Sequence, residues 1–193
     1  MKEHYDDIFR HDFTTFIART LHTIDPSTQF LENWHIDLIA EHLEAARKGE
    51  ITRLIINMPP RYLKSVCVSV AWPAWILGHD PSARIIAASY ANSLSIKHSL
   101  DTRLVISDAW YKRIFPAVKL ARDQNEKHKF MTTRKGFRMA SSVGASVVGE
   151  GGNFLIIDDP LSPAQAMNQS SRTLANDWFD QTFSTRLNKK KTG

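Results

Sequence analysis

The chain has 193 residues, 42% of them hydrophobic and 23% charged, with a net charge of +5; this make-up fits one globular core and excludes a disordered chain. Its longest apolar run, Val66 to Leu77, is interrupted by Ser69 and Pro73 and falls short of the roughly 20 residues a membrane span needs, so no transmembrane segment is expected. The lone cysteine, Cys67, excludes an internal disulfide and a cysteine-built zinc site and reads as a small buried side chain; with an N-terminus lacking a signal-like apolar stretch, a cytoplasmic protein is expected.

Ile8, Phe9, Phe13, Phe16, Ile17 and Leu21 recur at helical spacing, predicting one amphipathic helix over residues 4–24 that Asp25-Pro26 breaks. A second helix is expected from Asn33 to Lys48, with Trp34, Leu38, Ile39 and Leu43 on one face and Gly49 as its stop. Arg53–Met58 reads as a short buried strand, Pro59–Ser65 as a loop and the stretch to Leu77 as a helix. The strand–helix pattern repeats at Arg84–Tyr90 and Asn92–Ile106, and this alternation implies a parallel sheet covered on both faces. Residues 127–142 read as a hairpin around Arg134-Lys135-Gly136, placed at the sheet's edge. Asn153–Asp159 is a further buried strand, Ser162-Pro163 opens a last helix through Phe183, and Asn188–Gly193 is a Lys-rich turn. Without repeats or linkers, one domain is expected, residues 1–50 being a helical segment packed on a core of 51–193.

A phosphate-binding loop joins a strand to a helix and ends in Lys, for the β- and γ-phosphates, and Ser or Thr, for Mg²⁺. Lys64-Ser65 stands in that place, although Met58 and Leu63 occupy the positions where the general motif has glycine. Leucine resists positive φ, so the loop is expected to avoid that geometry, with Pro59 and Pro60 supplying stiffness. The same pair also reads as the start of a solvated helix. Asp158 and Asp159 follow four apolar residues, an arrangement that presents one acid to Mg²⁺ and one to an attacking water; the other reading is a turn with a helix cap. Arg61 is either a charge stabiliser for the γ-phosphate or a surface arginine. Trp34 and His35 either stack on an adenine or are a core aromatic and a surface imidazole. His128, Lys129, Arg134, Lys135 and Arg138, with Phe130 and Phe137, form either a nucleic-acid-binding hairpin or a solvated face. No Ser-His-Asp context and no H-E-x-x-H spacing is present, which excludes triad-hydrolase and zinc-protease chemistry.

In chain order, Leu54–Arg61 with Lys64-Ser65, Pro73–Pro81, Ala88–Tyr90, Trp110-Tyr111 with Phe115-Pro116, Gly136–Arg138, Phe154–Pro160, Asn176–Trp178 and Ser184–Leu187 resemble the ATPase domain of tailed-phage and prophage terminase large subunits, over most of the chain from Trp34. The resemblance implies an α/β P-loop NTPase fold whose mostly parallel central sheet is flanked by helices and is incomplete at the C-terminus, with ATP and Mg²⁺ as cofactors. By it, Pro60, Arg61, Tyr62, Leu63, Lys64 and Ser65 would hold the phosphates, Ser65 and Asp158 the Mg²⁺, and Asp159 and Arg61 would be catalytic. It implies double-stranded DNA, a terminase small subunit and the portal as partners, and a ring oligomer on the portal, in a bacterial host's cytoplasm. Glu150 departs from the pattern, in which a basic residue is common. The family continues past Leu187 into a strand lying between the Lys64 and Asp158 strands, a coupling segment and a nuclease domain, so these residues are expected to be a fragment that binds ATP weakly. The alternatives are an inactive remnant that binds only partners or DNA, and a helicase-like ATPase, against which stands Asp158-Asp159-Pro160 without a following Glu-x-His.

Overall fold

Asp12 divides the expected N-terminal helix in two. In the computed structural model, which describes residues 2–147 and 149–188, α1 spans Lys2–His11 and α2 Phe13–Ile24, and the Asp12 carboxylate accepts the Thr15 N–H at 2.7 Å. An aspartate that caps takes extended backbone and so cannot also continue the helix before it. α3, Trp34–Lys48, runs from Asn33 to a left-handed Gly49 at φ 80°. Its buried stripe is Ile36, Ile39, Ala40 and Leu43, while Trp34 and Leu38, expected on the same face, are 73% and 46% exposed.

The described chain forms two compact units, one of the residues up to Pro81 with Asp101–Lys119, the other of Ser82–Leu100 with those from Leu120 on. In the first, a π-helical turn over Val66–Ala71 runs into α4, Trp72–His79. Pro73 has no N–H for the carbonyl one turn back, that of Ser69. The wide turn absorbs this defect, and the Thr102 hydroxyl, on the long helix α5 (Asn92–Ser107), lies 3.4 Å from both the Ser69 and Val70 carbonyl oxygens. α6, Ala109–Ile114, is an element the sequence reading did not separate. Phe16 is the hub of this unit: wholly buried, its ring centroid is 5.0 Å from Trp75, 5.2 Å from Trp110 and 6.2 Å from Tyr111. The polar ends of these rings are satisfied. Tyr111 donates to the Ala74 carbonyl at 2.8 Å, Trp110 to Thr23 Oγ1 at 2.9 Å and Trp75 to the Glu44 carboxylate, so the rings are buried without stranded dipoles.

The second unit is built on β1, Arg84–Ser89, which pairs in parallel with β4 (Phe137–Ser142) on one edge and β5 (Phe154–Ile157) on the other. β2, Leu120–Asn125, and β3, Lys129–Thr132, extend the sheet antiparallel in the order β2-β3-β4-β1-β5. The fold class is thus α/β, but the sheet is mixed rather than mostly parallel, because a tight turn with Lys135 at φ 67° joins β3 to β4 and a short turn can close only an antiparallel pair. Nor is the hairpin at the edge, which β2 occupies. The expected strand Arg53–Met58 pairs with no strand among the described residues: it carries no regular secondary structure, with Leu54, Ile56 and Met58 half-buried and Ile55 85% exposed. The expected last helix starts at its Ser162 cap but is broken into α7, Pro163–Ala166, and α8, Gln169–Trp178, because Asn168 caps a new start. Trp178 stacks on Phe183 at 4.7 Å over a core of Ile86, Ala88, Phe137 and Val147. Leu187 then makes a parallel bridge to Gly152. Beyond Asn188, the expected Lys-rich turn lies outside the described residues. Among those residues no helix is long and apolar enough to cross a membrane.

A Cβ on Gly78 would lie 2.5 Å from the Phe115 ring, which is itself held by Trp75 and Tyr111 at 6.0 and 5.1 Å. Gly78→Ala is expected to lower the unfolding free energy by about 1–3 kcal/mol in urea titration; an unchanged midpoint would mean the aromatic cluster yields freely. A second expectation concerns acid. His79 lies against Trp75 and Phe115 at 4.6 and 5.2 Å, and desolvation, then the Arg47 charge, push its pKa down to about 4 from 6.5. Burial raises the pKa of Glu44, yet hydrogen bonds from Arg47 and Trp75 outweigh it and hold the carboxyl below its ordinary value. Both groups therefore take up protons more readily when unfolded: the His79 contribution, complete above pH 6.5, is lost as pH falls toward 4, and the Glu44 contribution, complete above 4.5, is lost as pH falls below that value. His79 is exposed despite these ring contacts, so the loss stays well under the ~1.4 kcal/mol per pKa unit of a buried group. Urea midpoints at neutral and mildly acidic pH should differ in the native chain and differ less in His79→Phe; equal differences would remove His79 from the account.

Candidate functional site

After Pro59 and Pro60 fix φ at two successive positions, the chain takes positive φ at Arg61, 69°, and at Leu63, 60°. The Cys67 N–H then bonds the Leu63 carbonyl at 2.9 Å, so a helix begins at once with Lys64 and Ser65 in its first turn. The expectation that the loop avoids left-handed geometry at Leu63 is thereby corrected: leucine here adopts the conformation that glycine supplies in the general motif. Left-handed backbone costs a non-glycine residue about 1–2 kcal/mol, and it persists only where the surroundings hold it. A left-handed residue followed by helical ones turns successive N–H groups to one side, a nest for anions, and the helix N-terminus adds partial positive charge. Lys64 and Ser65 are half-buried, and Pro60, Arg61 and Tyr62 are exposed.

Trp34 is not a core residue, being 73% exposed. It meets His35 edge-on at 6.1 Å, and His35 meets Tyr62 at 5.6 Å, so an aromatic row runs from the start of α3 to the loop. Cys67, wholly buried just beyond Ser65, has its thiol pushed up to about 12 by desolvation; it is a packing residue, as expected.

Asp158 and Asp159 belong to the second unit, the Lys64 loop to the first. Asp158 follows β5, is 4% exposed, and its N–H bonds the Ala88 carbonyl at 2.9 Å, continuing the pairing with β1. Asp159 is exposed, takes φ 47° and accepts the Tyr90 N–H on its carbonyl at 2.8 Å. The helix that follows the acids, α7, is capped by Ser162, whose hydroxyl accepts the Gln165 N–H while the Gln165 side chain accepts that of Ser162.

What sequence reasoning passed over is the face of α5. Ser95, His98, Ser99 and Thr102, at 1%, 6%, 1% and 0% exposure, are buried over about two turns, and Val105 and Ile106 continue the buried stripe. Because the first two turns of this stripe are hydroxyls and an imidazole and only its last members are apolar, apolar periodicity gave little sign of it; spacing of small polar residues at i, i+3, i+4 and i+7 was the signal available. Ser95 donates to the Ala87 carbonyl at 2.9 Å, and His98 Nδ1 lies 3.9 Å from Asp158 Oδ2.

The basic hairpin is less available than expected. Phe130, Phe137 and Arg138 are buried, and Lys129 pairs with Glu150 and lies 4.6 Å over the Phe137 ring; Arg134 and Lys135 remain exposed on the turn. Glu150, the departure from the resembled pattern, is thus matched by a lysine within the same unit. Among the described residues no three His, Cys, Asp or Glu side chains gather into a cation cage.

Glycine removes the cost of positive φ at position 63, whereas a Cβ-branched residue raises it. Leu63→Ile, which keeps the side-chain volume, is expected to melt below Leu63→Gly in a thermal scan; the reverse order would show that Leu63 is held by packing rather than by its backbone. Comparison with known protein families and with curated proteins finds no match to this chain.

Proposed function

We propose that this chain is the ATP-binding and ATP-hydrolysing part of a terminase large subunit, the motor that drives double-stranded viral DNA into a procapsid. The observation that carries the reading is the left-handed Leu63 directly before Lys64-Ser65 at a helix start, since a leucine in that conformation supports selection for the loop's shape. Lys64 would neutralise the β- and γ-phosphates, and the N–H groups of the loop and first turn would hold their oxygens. Ser65 and Asp158 would hold Mg²⁺, which supplies charge neutralisation at the transferring phosphoryl group. Asp159, exposed beside a buried acid, would orient the attacking water and take its proton, and Arg61 would stabilise charge developing on the γ-phosphate. The partners of this reading are double-stranded DNA held through its phosphates, a terminase small subunit and the portal, with a ring oligomer assembled on the portal in the bacterial cytoplasm.

The unpaired Arg53–Met58 segment favours a second reading, a non-catalytic remnant, because a phosphate loop is normally delivered by a strand within the sheet. A thermal shift with Mg²⁺ and a non-hydrolysable ATP analogue separates the two. An analogue at about 100 times its Kd should stabilise the chain by about 2.7 kcal/mol, and Lys64→Ala should abolish the shift. Absence of any shift in the native chain would leave the remnant.

A further inference from the structure

We propose that the end of the sheet opposite Asp158 and Asp159 is a binding surface for double-stranded DNA, whose phosphates meet Arg84, Arg134, Lys135 and Arg186. This rests on the DNA partner of the reading above and adds to it the surface that receives that partner; it asks nothing of the nucleotide.

The chain's excess of positive charge lies in the second unit, which holds 13 of the 25 Lys and Arg but only 7 of the 20 Asp and Glu. Within this unit β1, β4 and β5 run parallel, so all three start from one end. Arg84, exposed, opens β1, and Arg134 and Lys135, both exposed, form the turn that leads into β4. Backbone bonds carry the row on to Arg186: the Phe137 N–H reaches the Ala83 carbonyl at 3.0 Å, the Asn153 N–H that of Arg84 at 2.7 Å, and the Gly152 N–H that of Arg186 at 2.9 Å. At one strand spacing per step, the four cations make a row about 15 Å long, and a duplex carries a negative charge about every 1.7 Å of its axis. The turn presents its cations in a set geometry: the Thr132 hydroxyl accepts the Arg134 N–H at 3.2 Å, and Lys135 takes φ 67°, a conformation that asparagine or glycine adopts more readily. Of the unit's acids, Asp158 and Asp159 follow β5 at the other end of the sheet, Glu126 faces His128 at 3.2 Å and Glu150 faces Lys129. A single strand is a poorer fit, because such sites stack bases on exposed rings, and the hairpin's Phe130 and Phe137 are 0% and 2% exposed.

The test follows the fluorescence anisotropy of a labelled DNA duplex titrated with the 193-residue chain at several NaCl concentrations. Each phosphate contact contributes about −0.9 to the slope of log K against log salt, so Arg134→Ala/Lys135→Ala should make the slope shallower by about 2. Arg134→Glu should weaken binding more than Lys127→Glu, an equal change of charge at an exposed position on the turn at the other end of β3. The two turns are roughly 15 Å apart, beyond the Debye length of about 10 Å in 0.1 M salt. Where circular dichroism shows the double variant to be unfolded, Lys135→Gly, which accommodates the positive φ, replaces Lys135→Ala. A native slope in the folded double variant overturns the proposal, as do equal losses in Arg134→Glu and Lys127→Glu, which would mean that net charge alone attracts the DNA. Tighter binding of a single strand of the same length than of the duplex overturns it too. Under the first two of these outcomes the DNA partner of the earlier reading survives, whereas a native chain that binds no duplex defeats that partner and this inference together.

Discussion

The second unit depends on one requirement, that β1 satisfy its backbone groups on both edges. Every β1 residue after Arg84 is buried, so no water is at hand for its N–H and C=O groups, and a stranded pair would cost more than any side-chain contact nearby returns. Parallel partners on both edges meet the requirement, and the pairing runs on beyond the strands themselves. The Asp158 N–H reaches Ala88, and the Tyr90 N–H reaches Asp159. The positions of both acids are thus by-products of how a buried strand completes its hydrogen bonds, which is why they are tightly defined even though Asp159 is exposed.

The first unit solves a different problem. Its interior is aromatic, and rings of this size pack well only when their polar atoms find partners and the backbone approaches closely. Gly78 supplies the close approach, and carbonyls of α3 and α4 supply acceptors for Trp72 and Tyr111. The Pro73 defect fits this scheme, because the wide turn that accommodates the proline also leaves carbonyls to which the Thr102 hydroxyl can turn.

Elements were legible where periodicity and punctuation agreed. α3 has both an apolar stripe and a terminal glycine, and β1 and β5 are uninterrupted apolar runs, so their bounds could be read to within a residue or two. Legibility failed where one local interaction outweighed the pattern, as at Asp12 and Asn168, where a side-chain cap ended an apparently continuous helix. It failed again where the pattern was absent: β2 reads LARDQN, with nothing to set it apart from a loop. The Arg53–Met58 segment shows the converse, an alternation of half-buried and exposed residues that belongs to a strand although no ladder forms among the described residues. At the candidate site, Lys64, Ser65, Asp158 and Asp159 were visible as residue types at telling positions. The buried polar positions of α5, Ser95, His98, Ser99 and Thr102, were not, because small polar residues leave no hydrophobic signature.

The loop before Lys64 also differs from a glycine-rich one in its thermodynamics. Glycines give such a loop its shape at the expense of a large conformational entropy that must be surrendered when it closes on a ligand. Pro59-Pro60-Arg61-Tyr62-Leu63 starts with little freedom to lose and carries its cost as backbone strain in the folded chain. Association with an anion would then proceed with a small ordering penalty, and its calorimetric signature would be closer to that of a rigid receptor than to that of a loop that folds around its guest.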